Sequence, residues 1–192
     1  MRAAILSSNG FAMTDCSVPS PGPGQIRVKS LSCGICEGDV FHYRIRSELA
    51  HEVLMGHEGT GIVDALGSGV QDLAVGDVVT TLGGPYTEYY LTTPASALRV
   101  PPGLDPTLAL GEPVACCVHA AGRFGVRPGD RVAVLGCGFM GLICMQLARR
   151  QGAEHICAIE PISWRREMAR TLGADVVVNP QGLTDAQLAA DL

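Results

Sequence analysis

A chain of 192 residues, 47% hydrophobic and 17% charged, has material for one large domain or two small ones around a real core, and is too apolar to be disordered. Its net charge of −5 argues against nucleic acid or an anionic membrane as the main partner. No apolar run reaches the length of a bilayer span, and "MRAAILSSNGFAM" lacks the unbroken apolar stretch and cleavage site of a secretion signal. The expected location is cytoplasmic. There the eight cysteines stay reduced, so metal binding or catalysis suits them better than disulfides.

In chain order, the segment up to about Pro101 reads as β-rich. "QIRVKSLSC", "GTGIVDALG", "GDVVTTL" and "YTEYYLT" are short runs of β-branched and aromatic residues separated by Gly, Pro and Asp. Such a series predicts a barrel-like domain. Next, "DPTLALGEPVACCVHAAGRFG" predicts helix, with Asp105 as an N-cap and Pro113 in the first turn of a second helix. From Arg127 the runs "DRVAVLG", "FMGLICMQLARRQG", "HICAIEP", "SWRREMARTLG" and "DVVVNP" alternate strand and helix, the pattern of a parallel sheet with crossover helices. The change of character falls over residues 112–128, and we divide the chain into domains at 1–115 and 116–192.

Gly136-x-Gly138-x-x-Gly141 follows the first of these strands directly and opens the apolar helix. The three glycines permit a tight turn, a close approach of pyrophosphate to the backbone, and close packing of helix on strand. Phe139, Met140 and Gly141 then begin a helix whose free N–H groups favour a phosphate. Glu160 ends the second strand 19 residues after Gly141, where a carboxylate can accept a ribose 2′-OH and repel a 2′-phosphate, so NAD is favoured over NADP. Arg165 pulls the other way: it can reach the ribose, tolerate a phosphate, or serve as a solvated helix charge.

"LSCGICEGDVFHYR" (31–44) raises a different question. Cys36 can be a redox thiol, a ligand of a structural or catalytic metal, or core filler. His57 lies 21 residues further on in "MGHEGTG", and Glu112 a further 55 in "LGEPVACCVHA". A thiolate, an imidazole and a carboxylate suit tetrahedral Zn²⁺, and three protein ligands leave a fourth position open, as catalytic sites do. Glu58, beside His57, is an alternative or transient ligand. Cys33 reads as packing, and Cys116, Cys117, Cys137, Cys144 and Cys157 as core.

"CGICEGD", "GHEGTGIV", "GDVV", "EPVACCVHA", "GDRVAVLGCGFMG" and "LGADVVVNP" resemble, in this order and over nearly the whole chain, the blocks of the zinc-dependent medium-chain dehydrogenases and reductases, which include alcohol, polyol and threonine dehydrogenases. The resemblance implies a mixed α/β fold: a GroES-like β-barrel catalytic domain followed by a Rossmann-type parallel sheet, here partial. It implies catalytic zinc on Cys36, His57 and Glu112 with Glu58 beside it, Asp39 orienting His57, and hydride transfer between NAD and a secondary alcohol or polyol, or its ketone. A homo-oligomer is expected once the chain is completed.

Three departures stand out. Gly38 occupies the place of the family's proton-relaying Ser or Thr, leaving His42, Tyr43, Glu37 or water for that task. The four-cysteine structural-zinc lobe is missing between "TTLGG" and "PYTEYYL". The chain also stops soon after the third Rossmann strand, which reads as a fragment in preference to a chain completed by another or a degenerate remnant. The alternative function is a non-catalytic or partner-dependent remnant that binds zinc and nucleotide.

Overall fold

The computed structural model describes residues 1–184, 186 and 187 and divides into two compact units, Met1–Glu112 and Pro113–Leu192. The last residues of the expected second domain therefore lie outside the described ones.

In the first unit, β1 (Arg2–Ser7) pairs antiparallel with β2 (Gly10–Asp15), and β3 (Ile26–Gly34) leads into the short helix α1 (Glu37–Arg44). The two-residue strand β4 (Val53–Leu54) joins the free side of β1. After it come β5 (Glu58–Leu66), β6 (Val78–Thr81), β7 (Tyr89–Thr92) and β8 (Ala97–Arg99), which with β3 form a five-stranded sheet of order β7-β3-β5-β6-β8. An Ala3–Thr87 bridge and the Ala4 N–H to Tyr86 carbonyl bond (2.8 Å) tie the smaller sheet to this one. Alternate inward residues supply the core: Ile26, Val28, Val63, Leu73, Val79, Tyr90 and Ala97. Each large side chain buried there contributes roughly 1.5–3 kcal/mol.

Asp105 does not start a helix. Its Oδ1 accepts the Thr107 N–H (2.9 Å) and Thr107 Oγ1 (2.7 Å), closing a single turn. The backbone beyond is claimed by the sheet: Thr60 Oγ1 donates to the Ala109 carbonyl (2.8 Å), and the Gly111 N–H donates to Thr80 Oγ1 (2.7 Å). A helix begins only at Gly111, as α2 (Gly111–Ala121), with Pro113 in its first turn. The two units divide within α2, between Glu112 and Pro113.

The second unit is a parallel three-stranded sheet, order β11-β10-β9, built from β9 (Arg131–Leu135), α3 (Phe139–Gln151), β10 (His155–Ile159), α4 (Ser163–Thr171) and β11 (Val176–Val178). Gly152 closes α3 at φ 107°, donating to the Ala148 and Arg149 carbonyls. Met145, Ala148, Ile156, Ala158 and Ala169 pack with Cys137 and Ala153 into one core. Of the five cysteines assigned to core, Cys117, Cys137 and Cys157 are buried, but Cys116 is exposed and Cys144 half-buried. Cys116 and Cys117 are neighbours on one helix, so only one of them can point inward. Among the described residues, no helix is long and apolar enough to cross a membrane.

Candidate functional site

Strand register assembles the first cluster. Gly34, the last residue of β3, pairs with Glu58, the first of β5. Cys36 stands two residues past that pair on one strand and His57 one residue before it on the other, so the ladder's end carries both to one place. Donor atoms of Cys36, His57 and Glu58 lie within 4.8 Å of one another. Tetrahedral bonds of about 2.0–2.3 Å put ligand atoms roughly 3.5 Å apart, so small side-chain rotations suffice to share an ion.

Glu58 reaches this position because Gly34 has no side chain. A Cβ at Gly34 would overlap Glu58 Oε2 and stand 2.9 Å from Leu110 Cδ1. Burial raises the Glu58 carboxyl above the ordinary carboxylate range, the charges of Glu112 and Asp39 add to the rise, and His57 opposes it. Glu112 is outside the three-residue cluster but close enough for its charge to act on Glu58. The Thr60 and Thr80 tethers bring it there. Three acidic groups and a thiol around one imidazole make a donor set that a divalent cation neutralises.

Asp39 is 4% exposed. Its Oδ2 accepts the Cys36 N–H (3.0 Å) and the Tyr86 hydroxyl (2.8 Å), while Oδ1 faces His57 Nδ1 at 3.9 Å. That last separation exceeds a hydrogen bond, so in this arrangement Asp39 acts on the ring through its charge and holds the Cys36 turn directly. Burial pushes Asp39 up, but the Cys36 N–H, the Tyr86 hydroxyl and His57 outweigh it and hold the carboxyl below its ordinary value. Tyr86 was not foreseen; "PYTEYY" reads only as strand. Asp39 thus stabilises the fold above the ordinary carboxylate range, and that contribution is lost as pH falls through its depressed value. Tyr86→Phe is expected to cost about 1–3 kcal/mol and to move the acid-unfolding midpoint, followed by circular dichroism, to higher pH.

His42 is exposed on α1, its Nδ1 2.7 Å from the Gly38 carbonyl, which leaves Nε2 as the ring's outward nitrogen. A Cβ at Gly38 would sit 3.2 Å from Cys36 Sγ. Cys33 stays outside the cluster: its thiol donates to the Gly84 carbonyl (3.2 Å), and burial raises its pKa.

In the second unit the glycine turn has the geometry its spacing predicts. Gly136 has φ 89°, Gly138 caps α3, and a Cβ at Gly141 would overlap the Gly136 carbonyl oxygen. The first N–H groups of α3, at Phe139, Met140 and Gly141, open toward the turn. Phe139 and Met140 are exposed.

Glu160 is 2% exposed, and its two oxygens serve two turns: Oε2 accepts the Cys137 N–H of the glycine turn and Oε1 the Ile162 N–H just ahead of α4, each at 2.8 Å. Burial pushes its carboxyl up, but those two N–H groups, with Arg165 and Arg166, hold it below the ordinary range. Arg165 faces the turn, with Nη1 3.7 Å from a Gly138 Cβ position, and its buried Nε has no partner. Trp164 lies beside it, the guanidinium carbon 5.2 Å from the ring centroid. With Cys137, Gly138, Phe139 and Met168, these residues line a depression of about 450 Å³.

Comparison with known proteins matches two family models: the alcohol dehydrogenase GroES-like domain over residues 22–102 and the zinc-binding dehydrogenase over residues 140–191. A sorbitol dehydrogenase of Halalkalibacterium halodurans is 28% identical, over 100% of this chain and 66% of that protein. An L-threonine 3-dehydrogenase of Thermococcus kodakarensis is 29% identical, over 89% of this chain and 58% of that one. Among solved structures, a Sinorhizobium meliloti protein described as a zinc-binding dehydrogenase bound to NADP is 30% identical, with a TM-score of 0.83 over 96% of this chain and 63% of that one. The chain therefore spans about two thirds or less of the length of the relatives it matches.

Proposed function

Because this chain belongs to the family of zinc-dependent medium-chain dehydrogenases and reductases, we propose that it carries the zinc and nucleotide sites of an oxidoreductase that moves a hydride between a nicotinamide cofactor and a secondary alcohol or polyol, or its ketone. The observation that carries this reading is the convergence of Cys36, His57 and Glu58 at the end of the β3–β5 ladder, within the field of Glu112. Zinc held there would supply a Lewis acid toward a substrate oxygen, and a nicotinamide cofactor would supply the hydride chemistry.

The chain's own residues do the rest. Cys36, His57 and Glu58 or Glu112 hold the ion, and Asp39 and Tyr86 fix the turn that presents Cys36. His42, with an outward Nε2, would carry the alcohol proton that a hydroxyl at position 38 would otherwise pass. The α3 N-terminus and Gly138 receive the pyrophosphate, and Arg165 lies over the same turn.

Two measurements test this. Purified protein should hold zinc, and an alcohol and ketone panel should change nicotinamide absorbance. Zinc and NADH binding without any turnover would favour the non-catalytic remnant, the reading that Gly38 supports. On the nucleotide, Glu160 favours NAD, in keeping with its place at the strand end, while unpartnered Arg165 Nε favours a 2′-phosphate. Glu160→Gln should weaken NAD binding about tenfold more than NADP binding, as read by fluorescence titration. Equal losses would mean that Glu160 serves only the turn.

A further inference from the structure

The Cys36 and His57 arms of the metal cluster arrive from different strands, and one short segment between β6 and β7 touches both. Toward His57, the Gly83 N–H donates to the His57 carbonyl (2.9 Å) and the Tyr86 N–H to the Met55 carbonyl (2.8 Å). Between those two carbonyls stands Gly56, at φ 96°, a value that glycine adopts without strain. A Cβ at Gly56 would lie 2.9 Å from both Cδ1 and the backbone nitrogen of Tyr86. The Tyr86 ring is therefore seated directly on the residue that precedes His57.

Toward Cys36, the same side chain ends in a hydroxyl that donates to Asp39 Oδ2 (2.8 Å) and lies 3.3 Å from the Gly34 carbonyl. Asp39 Oδ2 also accepts the Cys36 N–H. Phe11 of β2 meets the Tyr86 ring edge-on, with centroids 6.2 Å apart, and stacks on Tyr43 of α1 at 5.9 Å. The ring is thus braced on a third side, and all of these contacts lie within the first unit. Donor atoms spread over as much as 4.8 Å close on one ion only if neither arm drifts further than a side-chain rotation can take up.

We propose, on the zinc reading above, that Tyr86 is the positioning residue that fixes the spacing between the two arms: its hydroxyl sets Cys36 through Asp39, and its ring sets His57 through Gly56. One route is polar and the other steric, so substitutions separate them.

The test titrates zinc-loaded protein with a chromophoric chelator, with circular dichroism verifying that each variant is folded. Tyr86→Phe should weaken zinc binding about tenfold, the lower end of what the outer partners of metal ligands contribute. In an Asp39→Asn background the same exchange should have almost no effect, because the hydroxyl acts through that carboxylate. Tyr86→Leu removes the ring as well, and its further loss should persist in the Asp39→Asn background. Tyr86→Trp, which presses on Gly56 instead of releasing it, is a second route to that persistent loss. A role in stability alone would lower the denaturant midpoint of the metal-free variants and leave zinc affinity unchanged. That result would overturn the proposal, as would additive effects of Tyr86→Phe and Asp39→Asn. Wild-type protein that binds no zinc would remove the metal site itself, and the proposal with it.

Discussion

Cys36→Ser is expected to lower zinc affinity by more than about 100-fold, since even the outer partners of metal ligands are worth 10–100-fold. The loss should be confined to the metal. The Cys36 N–H anchors the turn to the Asp39 carboxylate and the Cys36 side chain bonds Asp39 in return, and a serine can keep both bonds and the start of α1. Zinc at a thousand times its dissociation constant stabilises the wild-type fold by about 4 kcal/mol. Thermal melts should therefore show a large zinc-dependent rise for wild type and almost none for the variant. The metal-free protein should also respond to pH in a telling direction. The folded Glu58 carboxyl titrates above its ordinary value, so stability declines as pH rises from that ordinary value through the raised one. Zinc, by neutralising the cluster, removes the decline. Equal zinc content in wild type and Cys36→Ser would refute the cluster as the metal site.

The second large effect is expected at Gly141. A valine there drives its Cβ into the Gly136 carbonyl, so either α3 lifts from β9 or the turn opens. Overpacking of this kind costs about 1–3 kcal/mol, and the displaced backbone is what receives the nucleotide. Gly141→Val should lose both stability in denaturant titration and measurable NAD(H) binding. Gly138→Ala separates the two: its Cβ would meet only Arg165 Nη1, at 3.7 Å, so the fold should keep its stability while pyrophosphate loses its close approach. If both variants bind NADH as wild type does, the turn is a structural β-α connection only.

The glycine turn was legible because its demands are local: Gly136, Gly138 and Gly141 sit within six residues of one another and each answers one steric requirement. The parallel sheet was legible for the same reason, through alternating apolar strands and crossover helices. The metal cluster was half legible. Residue chemistry named Cys36, His57 and Glu112, with Glu58 as an alternative, whereas the cluster holds Glu58; nothing local says that an absent Cβ at Gly34 makes room for Glu58, or that Tyr86, 47 residues from Asp39, holds the carboxylate under Cys36. Those relations exist only once β3, β5 and the segment before β7 are paired. Asp105 shows the converse. Its capping signature is real, and it is satisfied, yet the helix it announces is pre-empted by hydroxyls of Thr60 and Thr80 that claim the backbone from Ala109 to Gly111.

Those two threonine tethers decide how Glu112 behaves. A carboxylate at the tip of a frayed helix would wander with the fraying, whereas the peptide just ahead of Glu112 is latched to strands in the middle of the barrel-like sheet. Its rigidity is borrowed from that sheet. A single methyl-for-hydroxyl exchange at Thr80, itself no metal donor, would loosen the carboxylate and blur its aim.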